Sequence, residues 1–189
     1  MAEDKLAAIF AAALELFSSQ GFDKTSVDEV AARAKVAKGT IFYHYRSKEE
    51  LFNHMIQRGL DRLVGAVRAD LAGESDPLEG LRKVVRMQTL MLYQHPEFFR
   101  LLLSEVWGSQ ERQRLLRAGL RPYFELLEDL AGRGVRTGQL RPISPSTVAD
   151  IIFGMTSMAA YHLLLNPTPQ PPDEVIAELQ TALIFGIGA

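Results

Sequence analysis

Cysteine is absent from the 189-residue sequence. Without a thiol the chain can form neither a disulfide nor a thiolate nucleophile, and a structural zinc site is not expected because such sites commonly use cysteine. The four histidines, at positions 44, 54, 95 and 162, show no H-x-x-x-H spacing that would suit a metal ion. We therefore predict no metal site and no cofactor.

Long apolar runs and a strong charge imbalance are missing as well. No uninterrupted run of about 18 apolar residues occurs, and Asp4, Lys5 and Glu15 interrupt the apolar N-terminus, so we expect neither a membrane span nor a signal peptide. The formal net charge is only -2, so any surface for a polyanion must be local. The 47% of hydrophobic residues is enough for a proper core, and we expect a globular, cytoplasmic protein.

Alternation of apolar and polar residues, which would indicate strands, is not found. Apolar residues recur instead at helical spacing, as in Leu6, Ile9 and Ala13, which is typical of amphipathic helices. Glycine and proline then act as stop signals along the chain. We predict an all-α fold of about nine helices. Three short helices form a helix-turn-helix domain at residues 1–48, and a long helix joins it to a C-terminal helical bundle at residues 49–189.

Several helix ends carry local signals. Gly21 is expected to close the first helix. A helical pattern covers residues 110–137, where Gly119 and Pro122 are expected to kink or split the helix. The last two helices are predicted at residues 145–165 and 173–187.

The third helix lies in a locally basic segment. Residues 30–48 contain five Lys or Arg and no Asp or Glu, although residues 1–52 as a whole are nearly balanced. A helical wheel at 100° per residue places Ile41 and Tyr45 together on one side, where they can pack on the first two helices. The opposite side carries Gly39, Thr40 and Tyr43, with Phe42 and His44 on its flanks.

Two interpretations of this face follow from the residues. One is a solvated basic surface on a three-helix core. The other is a DNA-binding helix-turn-helix, because two short helices joined by a three- or four-residue turn fit that geometry. Tyr43 and His44 can donate to phosphate oxygens, Gly39 allows close approach of the backbone, and Lys48 adds a cation at the start of the long helix.

Residues 6–52 also resemble a known family. The segments T-S-V-x-E-V-A, K-G-T-I-F-Y-H-Y and S-K-E-E-L are similar to the DNA-binding domain of the TetR family of one-component bacterial transcriptional regulators. The resemblance implies that the third helix reads operator DNA, and that Thr25 or Ser26, together with Lys48, holds the phosphates on either side. The recognition residues implied are Lys38, Gly39, Thr40, Phe42, Tyr43 and His44.

Two positions depart from the family pattern. Lys35 stands where family members often have glycine, and Ala37 where they often have serine. If position 35 is left-handed, the lysine strains the turn by about 1 kcal/mol. Alanine at position 37 removes a side-chain cap from the third helix.

The C-terminal residues predict a partner. The helix at residues 145–165 and the last helix have little polar face, which is typical of burial against both their own domain and a second chain. Burial wholly inside one chain is the alternative. Resemblance to the family favours a homodimer formed through these two helices.

The resemblance also implies an effector pocket among the middle helices. Few polar residues occur between positions 84 and 107, which favours an apolar or amphipathic effector. Methionine and aromatic residues at helical spacing are also typical of plain core, so both readings stay open for each residue. The candidates are Met87, Met91, Phe98, Leu102, Trp107, Tyr123, Met155, Met158 and Tyr161.

Enzymatic motifs are weak. The glycines between positions 132 and 138 lack the spacing of a dinucleotide-binding loop. We predict a non-enzymatic, sequence-specific regulator that represses transcription and leaves its operator when a small effector binds. The alternative is a helical small-molecule-binding protein or enzyme whose basic N-terminus is incidental.

Overall fold

This computed structural model describes residues 2–166, 168 and 170–188. Two prolines of the loop before the last helix, Pro167 and Pro169, lie outside the described residues. Within the described residues nine helices follow one another and no strand occurs, so the predicted all-α fold is confirmed. They are α1 (Ala2–Gln20), α2 (Val27–Arg33), α3 (Lys38–His44), α4 (Lys48–Asp70), α5 (Pro77–Gln94), α6 (Pro96–Glu105), α7 (Gln110–Arg136), α8 (Pro145–Leu165) and α9 (Pro172–Ile187).

The ends of these helices have local causes. Gly21 ends α1 with φ at +84°, a left-handed conformation that glycine adopts without steric cost. Asp76 caps α5 by accepting hydrogen bonds from the backbone N–H groups of Leu78 and Glu79 at 2.9 and 3.3 Å. Pro77 then occupies the first turn, where its missing N–H costs nothing.

Of the two outcomes predicted for residues 110–137, a kink or a split, the split does not occur. The helix is continuous from Gln110 to Arg136 and contains Pro122 in its interior. Gly119 serves packing instead, because a Cβ at this position would collide with the side chain of Leu60. A glycine here leaves room for the Leu60 side chain.

The chain divides into two compact units that do not follow chain order. The first unit comprises the residues up to Leu60 together with Glu97–Gly119. An aromatic cluster of Phe17, Phe22 and Phe52 lies in its core, with ring centroids 5.0 to 5.8 Å apart.

The second unit comprises Asp61–Pro96 and the residues from Leu120 onward. In it α5 packs against α8 and α9. Its core draws apolar residues from five helices, among them Leu63, Val67, Leu81, Val85, Leu127, Ile152 and Leu183. By length and composition α8 could cross a membrane, a test that core helices of soluble proteins also pass.

Candidate nucleic-acid interface

The start of α2 is fixed by a capping box. The Ser26 Oγ accepts a hydrogen bond from the Glu29 backbone N–H at 3.2 Å, and the Ser26 N–H donates to the Glu29 carboxylate at 2.8 Å. The hydrogen bonds from Ser26 hold the pKa of Glu29 below its usual value. Thr25 and Asp28 have the same spacing in the sequence, but the structure forms the capping box between Ser26 and Glu29.

The turn between α2 and α3 contains the one described non-glycine residue with positive φ. Lys35 has φ at +55°, so the condition on which we predicted strain is met, and an L-residue in this conformation costs about 1 kcal/mol. Ala37 then precedes α3 with no side-chain hydrogen bond to the helix. Both departures from the family pattern therefore weaken the turn that positions α3.

The two sides of α3 separate as the helical wheel predicts. Ile41 and Tyr45 are buried, with 1% and 8% of their surfaces exposed. Tyr43 is 84% exposed and Phe42 44% exposed, and the Tyr43 and His44 rings meet edge to face at 5.0 Å. The buried side of α3 packs against the rest of the protein, and the other side is open to solvent.

Gly39 lies on the open side of α3. It is exposed, and a Cβ built at this position would meet nothing within 4 Å. The packing of the free protein therefore does not require glycine here, although glycine lowers helix stability. The backbone of α3 is therefore accessible at this position.

Two of the five cations of this segment pair with acids on neighbouring helices. Lys38 Nζ lies 2.8 Å from Asp28 of α2, and the Arg33 guanidinium pairs with Glu15 of α1. All four side chains are largely exposed, so these pairs contribute little stability and a phosphate can replace the carboxylate. The sequence segment lacks acids, but the folded surface does not.

Thr25 and Lys48, both predicted to contact phosphates, point inward in the free protein. The Thr25 hydroxyl is buried and donates to the Gly21 carbonyl at 2.8 Å. Lys48 Nζ donates to the carbonyls of Phe22 and Thr25 at 2.9 and 3.0 Å and lies 4.3 Å from the Phe22 ring centroid. Lys48 thus ties the start of α4 to the loop before α2, and its phosphate contact stays a prediction. Ser26 is exposed.

Comparison with known proteins decides the family. The family model for bacterial regulatory proteins of the tetR family matches residues 9–55, and a tetracyclin repressor-like C-terminal domain matches residues 74–161. This chain belongs to the tetR family. It is therefore a DNA-binding transcriptional regulator of a family that does not consist of enzymes.

Individual relatives agree with this assignment. A Clostridium perfringens protein described as a candidate fatty acid metabolism regulator has 33% identity, covers 95% of this chain and 98% of its own, and superposes with a TM-score of 0.89. The Escherichia coli K12 transcriptional regulator RutR is 28% identical over 80% of this chain and 72% of its own. FadR of Bacillus subtilis, solved in complex with stearoyl-CoA, is 19% identical with a TM-score of 0.84, covering 96% and 98%, and shows likeness of fold.

The candidate effector residues of this tetR-family chain are divided between the two units. Phe98, Leu102 and Trp107 belong to the first unit and the other six to the second. Trp107 is 89% exposed and Met158 60% exposed, whereas Tyr123 is fully buried. Within the second unit, Met87, Met91 and Met155 are half-buried against the apolar core.

A pocket in the second unit is lined by none of these nine residues. It has a volume of about 230 Å³ and lies between α5, α8 and α9, with Tyr93, His162 and Glu178 among its lining residues. The Tyr93 hydroxyl donates to the Gln170 carbonyl at its edge. The sequence gives no local signal for this pocket, because its residues come from three separate helices and a loop.

Sequence reasoning also missed a clamp in the first unit. Arg112 Nε lies 2.6 Å from the buried carboxylate of Glu105, and its guanidinium stacks 4.5 Å from the Phe22 ring centroid. These residues belong to α7, α6 and the loop after α1. Spacing along the sequence gives no hint of a contact between positions 90 residues apart.

Proposed function

We propose that this tetR-family regulator is a homodimeric repressor that leaves its operator when an amphipathic acyl compound binds to its C-terminal bundle. The observation that carries the DNA-binding part is the open side of α3, where Gly39 has free space and Tyr43 is almost fully exposed. In this proposal residues 1–48 bind DNA, and residues 49–189 bind the effector and form the dimer.

The proposed operator contacts are of two kinds, contacts to base edges and contacts to phosphates. Gly39, Thr40 and Tyr43 face the major groove, where a hydroxyl and a methyl group can contact base edges. Ser26 and the ammonium groups of Lys38 and Lys48 hold phosphates. In this scheme Lys38 exchanges Asp28 for a phosphate oxygen, since an exposed ion pair is weak and DNA offers a higher density of negative charge.

An apolar stripe on α8 supports the homodimer. Ile151, Met158 and Leu165 are spaced by seven residues, so they lie along one side of the helix, and all three are exposed. Phe185 of α9 is 78% exposed. Large exposed apolar side chains along one side of a helix are typical of an interface, and a second copy of this chain is the proposed partner. One helix-turn-helix makes few contacts, and dimers solve this by binding two half-sites about 34 Å apart.

The proposed effector class rests on the second unit and on the relatives. Met87, Met91 and Met155 are half-buried and pack against its core. Flexible thioether side chains of this kind can adapt to an alkyl chain. The relatives include a candidate fatty acid metabolism regulator and a protein bound to stearoyl-CoA. An acyl-CoA thioester fits both observations.

We infer that release is a population shift. The effector favours a form in which the long helix α4 holds the two recognition helices away from the half-site spacing. To weaken operator binding about 100-fold, or about 2.7 kcal/mol, the effector must bind this form about 100 times more tightly than the DNA-binding form.

The repressor proposal is tested on the DNA upstream of the chain's own gene. We expect the protein to raise the fluorescence anisotropy of this labelled fragment, with an affinity that falls as the salt concentration rises. In a purified transcription system, the protein should lower transcription from the fragment. Octadecanoyl-CoA should reverse both effects. Tyr43→Ala should bind the fragment more weakly and keep the wild-type melting temperature. No binding even at low salt would exclude the fragment as operator and favour the small-molecule-binding alternative.

Gly154 offers a test of the dimer. It is exposed on α8 and a Cβ there would meet nothing within 4 Å, so Gly154→Asp should leave the fold intact and place an unpaired charge in the interface. We expect monomers in analytical ultracentrifugation. Gly65→Asp, an equally open position on α4, is the matched control and should remain dimeric. A dimeric Gly154→Asp variant would place the interface elsewhere. Ala160 of the same helix is buried and therefore unsuitable for this test.

A further inference from the structure

The core of the second unit contains a polar pair that packing does not require. Gln88 of α5 and Tyr123 of α7 are both fully buried, and the Tyr123 hydroxyl donates to the Gln88 side-chain carbonyl. The Gln88 amide nitrogen is buried with no hydrogen-bond partner. An unsatisfied buried donor costs about 1–3 kcal/mol, and a leucine and phenylalanine pair would avoid this cost.

Rotating the amide does not remove the problem. If the Gln88 nitrogen faced Tyr123, it could donate to the phenol oxygen, but the phenol hydrogen and the Gln88 oxygen would then lose their mutual bond. At least one donor of the pair stays unsatisfied in either orientation. A buried amide and hydroxyl with an unused donor can bind a hydrogen-bond acceptor of a ligand.

The surroundings define the chemistry of that group. One helical turn from Gln88 on α5 lie Val84, Val85 and Leu92, all buried. On the side of Tyr123, the rings of Phe124 and Phe153 lie 5.8 and 6.0 Å from its centroid. A bound group here is therefore flanked by apolar side chains, as an acyl chain would be.

The charge of the acceptor is also constrained. Among the buried residues that the structure describes there is no Lys, Arg or His, so a carboxylate entering this core would have no cation to offset its desolvation. Burial raises the pKa of Tyr123, which keeps the phenol neutral and able to donate. The site thus suits a neutral carbonyl oxygen.

We propose that Gln88 and Tyr123 bind the neutral carbonyl group of the effector, with the Gln88 amide N–H donating to the thioester oxygen of an acyl-CoA. Met87, Met91 and Met155, at the edge of the core, adjust their rotamers to admit the alkyl chain. This inference rests on the proposed effector class. It adds a basis for distinguishing acyl thioesters from free fatty acids.

The test compares two ligands on two proteins by isothermal titration calorimetry. Octadecanoyl-CoA carries the carbonyl, and S-octadecyl-CoA, a thioether with the same chain and the same nucleotide, lacks it. The variant Gln88→Leu/Tyr123→Phe replaces both polar groups by apolar groups of similar shape, which leaves stability unchanged or higher. Thr89→Val is the control, because Thr89 is the other buried polar residue of α5 and its hydroxyl is satisfied by the Val85 carbonyl at 2.8 Å.

We expect wild type and Thr89→Val to bind the thioester about tenfold more tightly than the thioether, as one hydrogen bond in a dry site allows. The double variant should bind the two ligands equally, with an unchanged or raised melting temperature. Octadecanoate should bind wild type more weakly than the thioester.

Three results would overturn the inference. The same thioester preference in wild type and double variant would remove the role of the pair while leaving the acyl-CoA effector in place. Octadecanoate binding as tightly as the thioester would refute the neutral acceptor. Failure of wild type to bind either CoA compound would reject the proposed effector class itself, and this inference with it.

Discussion

An alanine at position 39 would add one methyl group to the open side of α3. The position is exposed and a Cβ there meets nothing within 4 Å, so the free protein has room for it. Alanine is a better helix former than glycine by roughly 0.5–1 kcal/mol. Gly39→Ala should therefore raise the free energy of unfolding by up to about this amount.

Operator binding should change in the opposite direction. If the backbone at Gly39 approaches DNA closely, the methyl group displaces α3 from the groove and weakens several contacts at once. We expect at least a tenfold loss of operator affinity, which corresponds to about 1.4 kcal/mol. Urea denaturation measures the first effect, and fluorescence anisotropy with the operator fragment across a salt series measures the second.

A matched control separates helix propensity from DNA contact. Gly65 also lies in a helix and is exposed, and a Cβ at this position would meet nothing within 4 Å, so Gly65→Ala should gain similar stability and keep wild-type operator affinity. If Gly39→Ala bound the operator as tightly as wild type, the close approach of α3 proposed above would be refuted. A loss of stability in Gly39→Ala would instead contradict the free space seen at this position.

Three further predictions concern positions around the same helices. Lys35→Gly should stabilise the protein by about 1 kcal/mol by relieving the positive φ, whereas Lys35→Ala, which removes only the charge, should not; chemical denaturation distinguishes them. Because the folded-state pKa of Glu29 is lowered, its contribution to the free energy of unfolding is present above its ordinary pKa of 4.5 and is lost as pH falls through the lower folded value. Glu29→Gln should therefore reduce the loss of stability measured from roughly pH 6 to pH 3. The same acid profile in wild type and variant would contradict this. Arg112→Ala leaves the Glu105 carboxylate buried without its partner and should cost about 3 kcal/mol, part of which the added change Glu105→Gln should restore.

Much of the fold could be predicted from local patterns. Helical periodicity and stop signals such as Gly21 indicated the number and order of the helices, because these effects act within one turn of the chain. The same reasoning separated Ile41 from Tyr43 on α3. It left open a split at Pro122, whereas α7 runs continuously through this residue despite the local cost of proline.

The electrostatics of the interface could not be predicted in the same way. Residues 30–48 contain no acid, yet Lys38 and Arg33 pair with Asp28 and Glu15. Lys48 is bonded to carbonyls more than twenty residues earlier. Such partners depend on how helices pack, which the pattern of a single helix does not contain.

The sequence by itself determined the helices, the face of α3 that is buried and the family to which the chain belongs. Periodicity, capping residues and the motif from Thr25 to Leu51 are local properties of the chain. Tertiary structure decided which side chains meet, including the clamp of Arg112 on Glu105 and the buried pair of Gln88 and Tyr123. The physical reason is that a hydrogen bond or ion pair between helices depends on their relative position to within about half an ångström, whereas helix formation depends on neighbours three or four residues away.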